Sequence, residues 1–118
     1  MALFRLYTGT DGKSHVEPIA LTKTPDWSKG LATTQISFRE DPVGRFIDWH
    51  PAPARQFVIT LSGESEIELE GGRKLRLGPG HILLAEDTTG QGHISRAVGS
   101  QDRISLFIPL AAGAAVPR

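Results

Sequence analysis

Nearly every patterned stretch of this chain repeats with the two-residue period of a β-strand, and nearly every one ends at Gly or Pro. Successive side chains of a strand point to opposite faces, so this period commits the chain to sheets. Gln56 to Leu61 is rich in β-branched and aromatic residues and stops at the turn pair Ser62-Gly63. Glu64 to Glu70 alternates charge with Ile67 and Leu69, as a strand with one wet face does. Gly71-Gly72 turns the chain into Arg73 to Leu77, where Leu75 and Leu77 point the same way, and Gly78-Pro-Gly80 closes it. His81 to Ala85 is a short apolar run, and Arg45 to His50, His93 to Val98 and Arg103 to Leu110 supply further strands. Leu31 to Glu40 puts Thr34, Ile36 and Phe38 on one face and Gln35, Ser37 and Arg39 on the other.

No segment has the stripe, caps or length of a helix. Thr24 to Gly30, with Pro25 early and Gly30 late, allows at most one turn. Short, evenly punctuated strands predict an all-β barrel or sandwich. At 118 residues the chain is expected to be one domain, 1–118. It divides into a strand and loop arm over 1–30, a barrel over 31–110 and a flexible tail over 111–118 that has little to bury.

Lys plus Arg balances Asp plus Glu at 13 each. Such balance argues against phosphate-driven binding, so no nucleic acid is expected as a partner. It also leaves little repulsion between copies and permits self-association. Without Cys there is neither a disulfide frame nor a thiolate nucleophile, and without Asn no N-glycosylation acceptor. Met1-Ala-Leu-Phe-Arg5 does not read as a secretory signal. The longest uncharged run, Ile104 to Pro117, is broken by Pro109 and too short to span a bilayer. The expectation is a cytoplasmic protein with no membrane partner. A Gly-x-Ser-x-Gly elbow, a phosphate loop and a dinucleotide fingerprint are all missing.

Two polar-tipped segments follow one another in this order: His50-Pro-Ala-Pro-Ala-Arg-Gln56 leading into Phe57 to Gly63, and Gly78-Pro-Gly80 followed by Gly90-Gln-Gly-His93. From His50 to Val98 the chain resembles a small single-domain cupin of the RmlC-like superfamily. The resemblance implies a double-stranded β-helix, or jelly-roll barrel, in which the two segments meet at one pocket. Counting along the family's first motif puts His50 at the first His, Ala52 at the second His and Gln56 at the Glu. His93 occupies the second motif's His, and Ala97 falls where the family has Asn. The loop Glu86 to Gly92 is longer than the usual spacing.

The family's three-His, one-carboxylate set suits Mn, Fe, Ni or Zn. Here His50, Gln56 and His93 remain as metal candidates, with an amide replacing the carboxylate and Ala52 offering no donor. No tightly bound metal is therefore expected, unless Asp87, Glu86 or His15 is brought in by loops.

Without a metal, a pocket still follows from strand parity. Ser95 and Ala97 share the face of His93, and Val58 and Thr60 share the face of Gln56. Small and polar walls of this kind suit a small-molecule site, with His50 at its rim. Arg55 and Arg96 should point away, whereas Arg39, with Gln35 and Ser37, is a candidate to face inward and pair with a ligand carboxylate. His93 with Asp87 reads as a catalytic acid–base pair; alternatively Asp87 caps the Thr88-Thr89-Gly90 turn. His81 reads as a solvated loop residue, His15 belongs to a segment too weakly patterned to place, and Trp27 and Trp49 read as packing anchors.

Three functions compete. The first is a pocket for a small organic molecule, turned over by proton transfer from His93 as in an isomerase, epimerase or lyase. The second is a metal-dependent cupin of dioxygenase or decarboxylase type. The third is a non-enzymatic sensor or structural protein, which a side-chain-filled interior would favour. The resemblance also implies a homodimer, with Leu3 to Tyr7 as a strand to be exchanged.

Overall fold

The β-branched run Gln56–Ser62 sends Gln56, Val58 and Thr60 to one side, where all three are buried, and Phe57, Ile59 and Leu61 to the other. This strand is β5 of a computed structural model that describes residues 3–22 and 27–117. Before it come β1 (Leu3–Thr8), β2 (Ser14–Ile19), β3 (Ser37–Asp41) and β4 (Phe46–His50). After it come β6 (Glu64–Glu68), β7 (Lys74–Leu77), β8 (Ile82–Glu86), β9 (His93–Val98) and β10 (Arg103–Pro109). No helix forms among the described residues, and none there is long and apolar enough to cross a membrane.

The strands make two sheets, β2-β1-β8-β5-β10-β3 and β4-β9-β6-β7. All ladders are antiparallel except β1 with β8. Gly63 hands the chain from one sheet to the other. Its φ is +70°, and a Cβ there would lie 2.7 Å from the Asp102 carbonyl oxygen, so only glycine fits. The inner faces enclose a core of Leu6, Val16, Val58, Ile67, Leu77 and Leu83.

Four expectations change. The arm is not a spare strand: β1 lies between β2 and β8 of its own chain, so Leu3 to Tyr7 presents no open edge. β2, unplaced from sequence, is a real strand that buries only Ser14 and Val16, too few to show a period. Leu31 to Glu40 is a strand only from Ser37, because Pro109 offers β10 no N–H and the ladder lapses until a single bridge between Thr33 and Leu110. The tail does not fray. Val116 is buried with Leu3, Leu84 and Leu110 on the outer face of the larger sheet, beside Trp27 and Phe57, and the Ala114 carbonyl accepts a 2.8 Å bond from Arg55. Of the single turn expected over Thr24 to Gly30, Thr24 to Asp26 lie outside the described residues, and Trp27 to Gly30 are turn and coil.

Candidate functional site

A cavity of about 370 Å³ lies between the two sheets. Its lining is mostly apolar in the middle (Ile47, Val58, Ile67, Leu77, Leu83 and Phe107) and polar towards the strand ends.

At one end His50 and His93 sit opposite each other on neighbouring strands, just past a register shift in β4. Their ring centroids are 4.5 Å apart, tilted by 53°. Gly92 allows this approach: its φ is +79°, and a Cβ there would overlap the His50 carbonyl. Each ring is anchored through Nδ1. His50 Nδ1 lies 2.7 Å from the Asp48 carbonyl oxygen, and His93 Nδ1 lies 2.6 Å from Asp87 Oδ2. Both partners accept, which assigns the donor role to Nδ1 of each ring.

Asp87 is fully buried and its Oδ2 also accepts from the Ser14 hydroxyl at 2.7 Å. Its backbone carbonyl accepts from Ala52 N–H at 2.9 Å, which ties the His50 loop to the Asp87 loop. Its side chain therefore orients His93 and does not cap the turn; there Thr88 N–H bonds to the Glu86 carbonyl. Gln56, at the start of β5, lines the same end and is 8% exposed.

At the other end stands a group that strand polarity concealed. β3 and β10 turn polar residues inward: Phe38 and Ile104 are exposed, whereas Asp41, Arg103 and Ser105 are buried. Asp41 accepts from Arg39 Nε at 3.2 Å and lies 3.1 Å from Arg45 Nε. Arg103 donates to the Thr60 hydroxyl at 3.2 Å, and burial pushes its guanidinium below the ordinary value, with Asp41 raising it and Arg39 lowering it. The Arg39 guanidinium stacks 4.5 Å from the Phe107 ring centroid.

Of the expected pocket residues, His50, Gln56, Val58, Ser95 and Arg39 line the cavity, and so does His93. Thr60 is not part of the lining, because it is fully buried under Arg103. Arg55 points outward to Glu86 as its parity requires, and the Arg96 guanidinium is taken up by Glu66 and Glu68. His81 is no free loop residue: its Nδ1 accepts the Gly78 N–H at 2.6 Å. Asp41 and Arg103 were missed; the one available signal was that polar residues share a parity in two strands that prove to be neighbours.

No family model matches the chain, and no curated protein matches it significantly. Among solved structures it is similar to an uncharacterized conserved protein with a double-stranded β-helix domain from Klebsiella pneumoniae, with 27% identity and a TM-score of 0.50, covering 70% of this chain and 73% of that one. It is also similar to the cupin domain of Cnp3 from Schizosaccharomyces pombe, with 13% identity and a TM-score of 0.50 over 83% of this chain and 72% of that one. A third is protein NMB1881 from Neisseria meningitidis, at 14% identity and a TM-score of 0.50 over 80% and 100% of the two chains. The chain has the double-stranded β-helix fold of cupins.

In this fold the donors at the motif positions do not fit a tightly held divalent ion. His50 and His93 offer two imidazole nitrogens, Gln56 a neutral amide oxygen, and buried Ala52 nothing. The loops bring no substitute. Glu86 bonds Arg5 at 2.7 Å and Arg55 at 2.9 Å, His15 bonds Asp11 at 3.0 Å, and Asp87 stands behind His93 on its Nδ1 side. No group of three or more His, Cys, Asp or Glu among the described residues is placed to hold a metal.

Proposed function

We propose that this cupin binds a small organic molecule between its sheets and moves a proton on it, with His93 as the base, without a tightly bound metal. The observation that carries the proposal is the buried 2.6 Å bond from His93 Nδ1 to Asp87, in a side chain that also lines the cavity. A carboxylate behind an imidazole fixes its tautomer and stabilises the imidazolium formed when Nε2 takes a proton. Gln56, which lines the cavity, would donate through its amide N–H₂ to an oxygen on which charge develops. Isomerisation, epimerisation and elimination all share this first step. A cavity of about 370 Å³ also speaks against a purely structural barrel. The test is deuterium wash-in from D₂O at the acidic C–H bonds of candidate ligands, followed by NMR. Exchange should vanish in His93→Gln; exchange that persists there would overturn the role of His93.

The metal-dependent alternative has one feature in its favour, since imidazoles anchored through Nδ1 are also how metal-binding histidines are held. Elemental analysis of protein purified without chelator or affinity tag separates the two, and stoichiometric Mn, Fe, Ni or Zn would decide for the alternative.

As its assembly we propose a homodimer through the outer face of β3, β10 and β5, where Phe38 is 71%, Leu61 49% and Ile104 38% exposed.

A further inference from the structure

We propose that the arginine end of the cavity seats a ligand carboxylate, so that the bound molecule is an elongated organic acid with an apolar body and its reacting group at the histidine end. This rests on the small-molecule pocket proposed above and names its ligand class.

The two polar ends face each other along the strands. On β10, Pro109 pairs with Gln56, Phe107 with Val58 and Ser105 with Thr60, and Arg103 lies beyond them. In the other sheet Ala97 pairs with Ser65 and Ser95 with Ile67, with His93 beyond. Arg45 joins the far end, since its carbonyl accepts from Ala97 N–H at 2.9 Å. Gln56 and Thr60 are four residues apart on one strand, a separation of roughly 13 Å. Val58, Ile67, Leu83 and Phe107 line the interval and would clothe a hydrocarbon segment.

Charge at the far end is unbalanced. Arg39, Arg45 and Arg103 bring three positive charges against the single carboxylate of Asp41, an excess of two. Asp41 has both oxygens engaged, by Arg39 and Arg45, and Arg103 is left with only the neutral Thr60 hydroxyl. Arg103 is 8% exposed, lines the cavity, and its Nε has no partner among the described residues; neither has the buried hydroxyl of Ser65, which lines the cavity too. Buried donors without acceptors are costly, and a buried guanidinium most of all. A carboxylate entering here supplies the missing acceptor in the planar geometry that guanidinium prefers.

The probes are butanoate, hexanoate and octanoate beside their primary amides, titrated by calorimetry and followed at the Arg103 Nε–H resonance in ¹H–¹⁵N spectra. The acids should bind at least about tenfold tighter than the amides and shift that resonance. Affinity should rise with chain length. The half-exposed Arg39→Gln, its fold checked by thermal melt, should lose most of that preference, and Arg103→Met should lose it entirely if it folds. Amides binding as tightly as acids would overturn the carboxylate seat and leave the pocket standing. If neither series binds at all, both the seat and the pocket fall. Binding of acids without deuterium exchange would instead strike only the catalytic proposal.

Discussion

His93 Nδ1 is hydrogen-bonded to Asp87 Oδ2 over 2.6 Å, in a pair where Asp87 has no solvent exposure and His93 only 5%. Ser14, from the N-terminal hairpin, donates to the same carboxylate oxygen. The pair thus couples the site to β2, a strand whose sequence carries almost no periodic signal. Asp87→Asn preserves the shape but ends the pure acceptor character that selects the tautomer. Any turnover should fall by about a thousandfold or more, as when the orienting carboxylate of a triad is lost. Nitrogen-15 spectra of the imidazoles should show Nδ1–H at both His50 and His93 in the wild type; Nε2–H at His93 would refute the assignment.

Removing the acceptor altogether, by Asp87→Ala, strands two buried donors. At about 1–3 kcal/mol for each, the fold should lose roughly 2–6 kcal/mol. Urea denaturation measures this directly, and a loss below 1 kcal/mol would mean that neither bond matters to the fold.

Gly92→Ala should damage both fold and site. The new methyl overlaps the His50 carbonyl, and the backbone is held at a positive φ. Strain at such a φ alone costs about 1–3 kcal/mol, and relief requires the His50 loop to withdraw from His93. The sign to look for is a lowered melting temperature together with altered chemical shifts of both imidazoles. A variant as stable as the wild type would contradict the close approach.

Ala52 and Gln56 stand where the cupin motif has His and Glu, and both line the cavity. The double variant Ala52→His with Gln56→Glu should therefore acquire divalent metal binding. Its affinity for Ni or Zn should exceed that of the wild type by about tenfold or more, since two strong donors and a negative charge are added. Equal, weak binding by both proteins would show that the two imidazoles are wrongly placed for a shared ion.

Phe38 stands 71% exposed on β3, at the edge of the larger sheet. Light scattering at micromolar concentration should give twice the 12.8 kDa chain mass, and Phe38→Asp should return a monomer of unchanged melting behaviour. A monomeric wild type removes the dimer.

Much of this molecule was legible in its order of residues. The limits of β9, and nearly those of β5, followed from period and glycine placement, because alternation and tight turns are local properties. The cupin motifs likewise located His50, Gln56 and His93, which the fold gathers at one end of the hollow. The tail was misjudged since Val116 finds its cover in Leu3 and Leu84, which are distant in sequence. Asp41 and Arg103 were invisible for a related reason. Apolar residues normally mark the inner face, and here Asp41, Arg103 and Ser105 are buried on it while Phe38 and Ile104 face out.

Sequence alone determined that the chain would form sheets, where most of them turn, and which imidazoles would meet. Only tertiary structure decided which oxygen holds each Nδ1, which parity of β3 and β10 faces inward, and that two arginines share one acid while a third is left with a hydroxyl. The division has a physical cause. Backbone period and glycine conformation are set by neighbours in the chain, whereas proton placement and charge balance depend on groups that only closure of the barrel brings within a few ångströms.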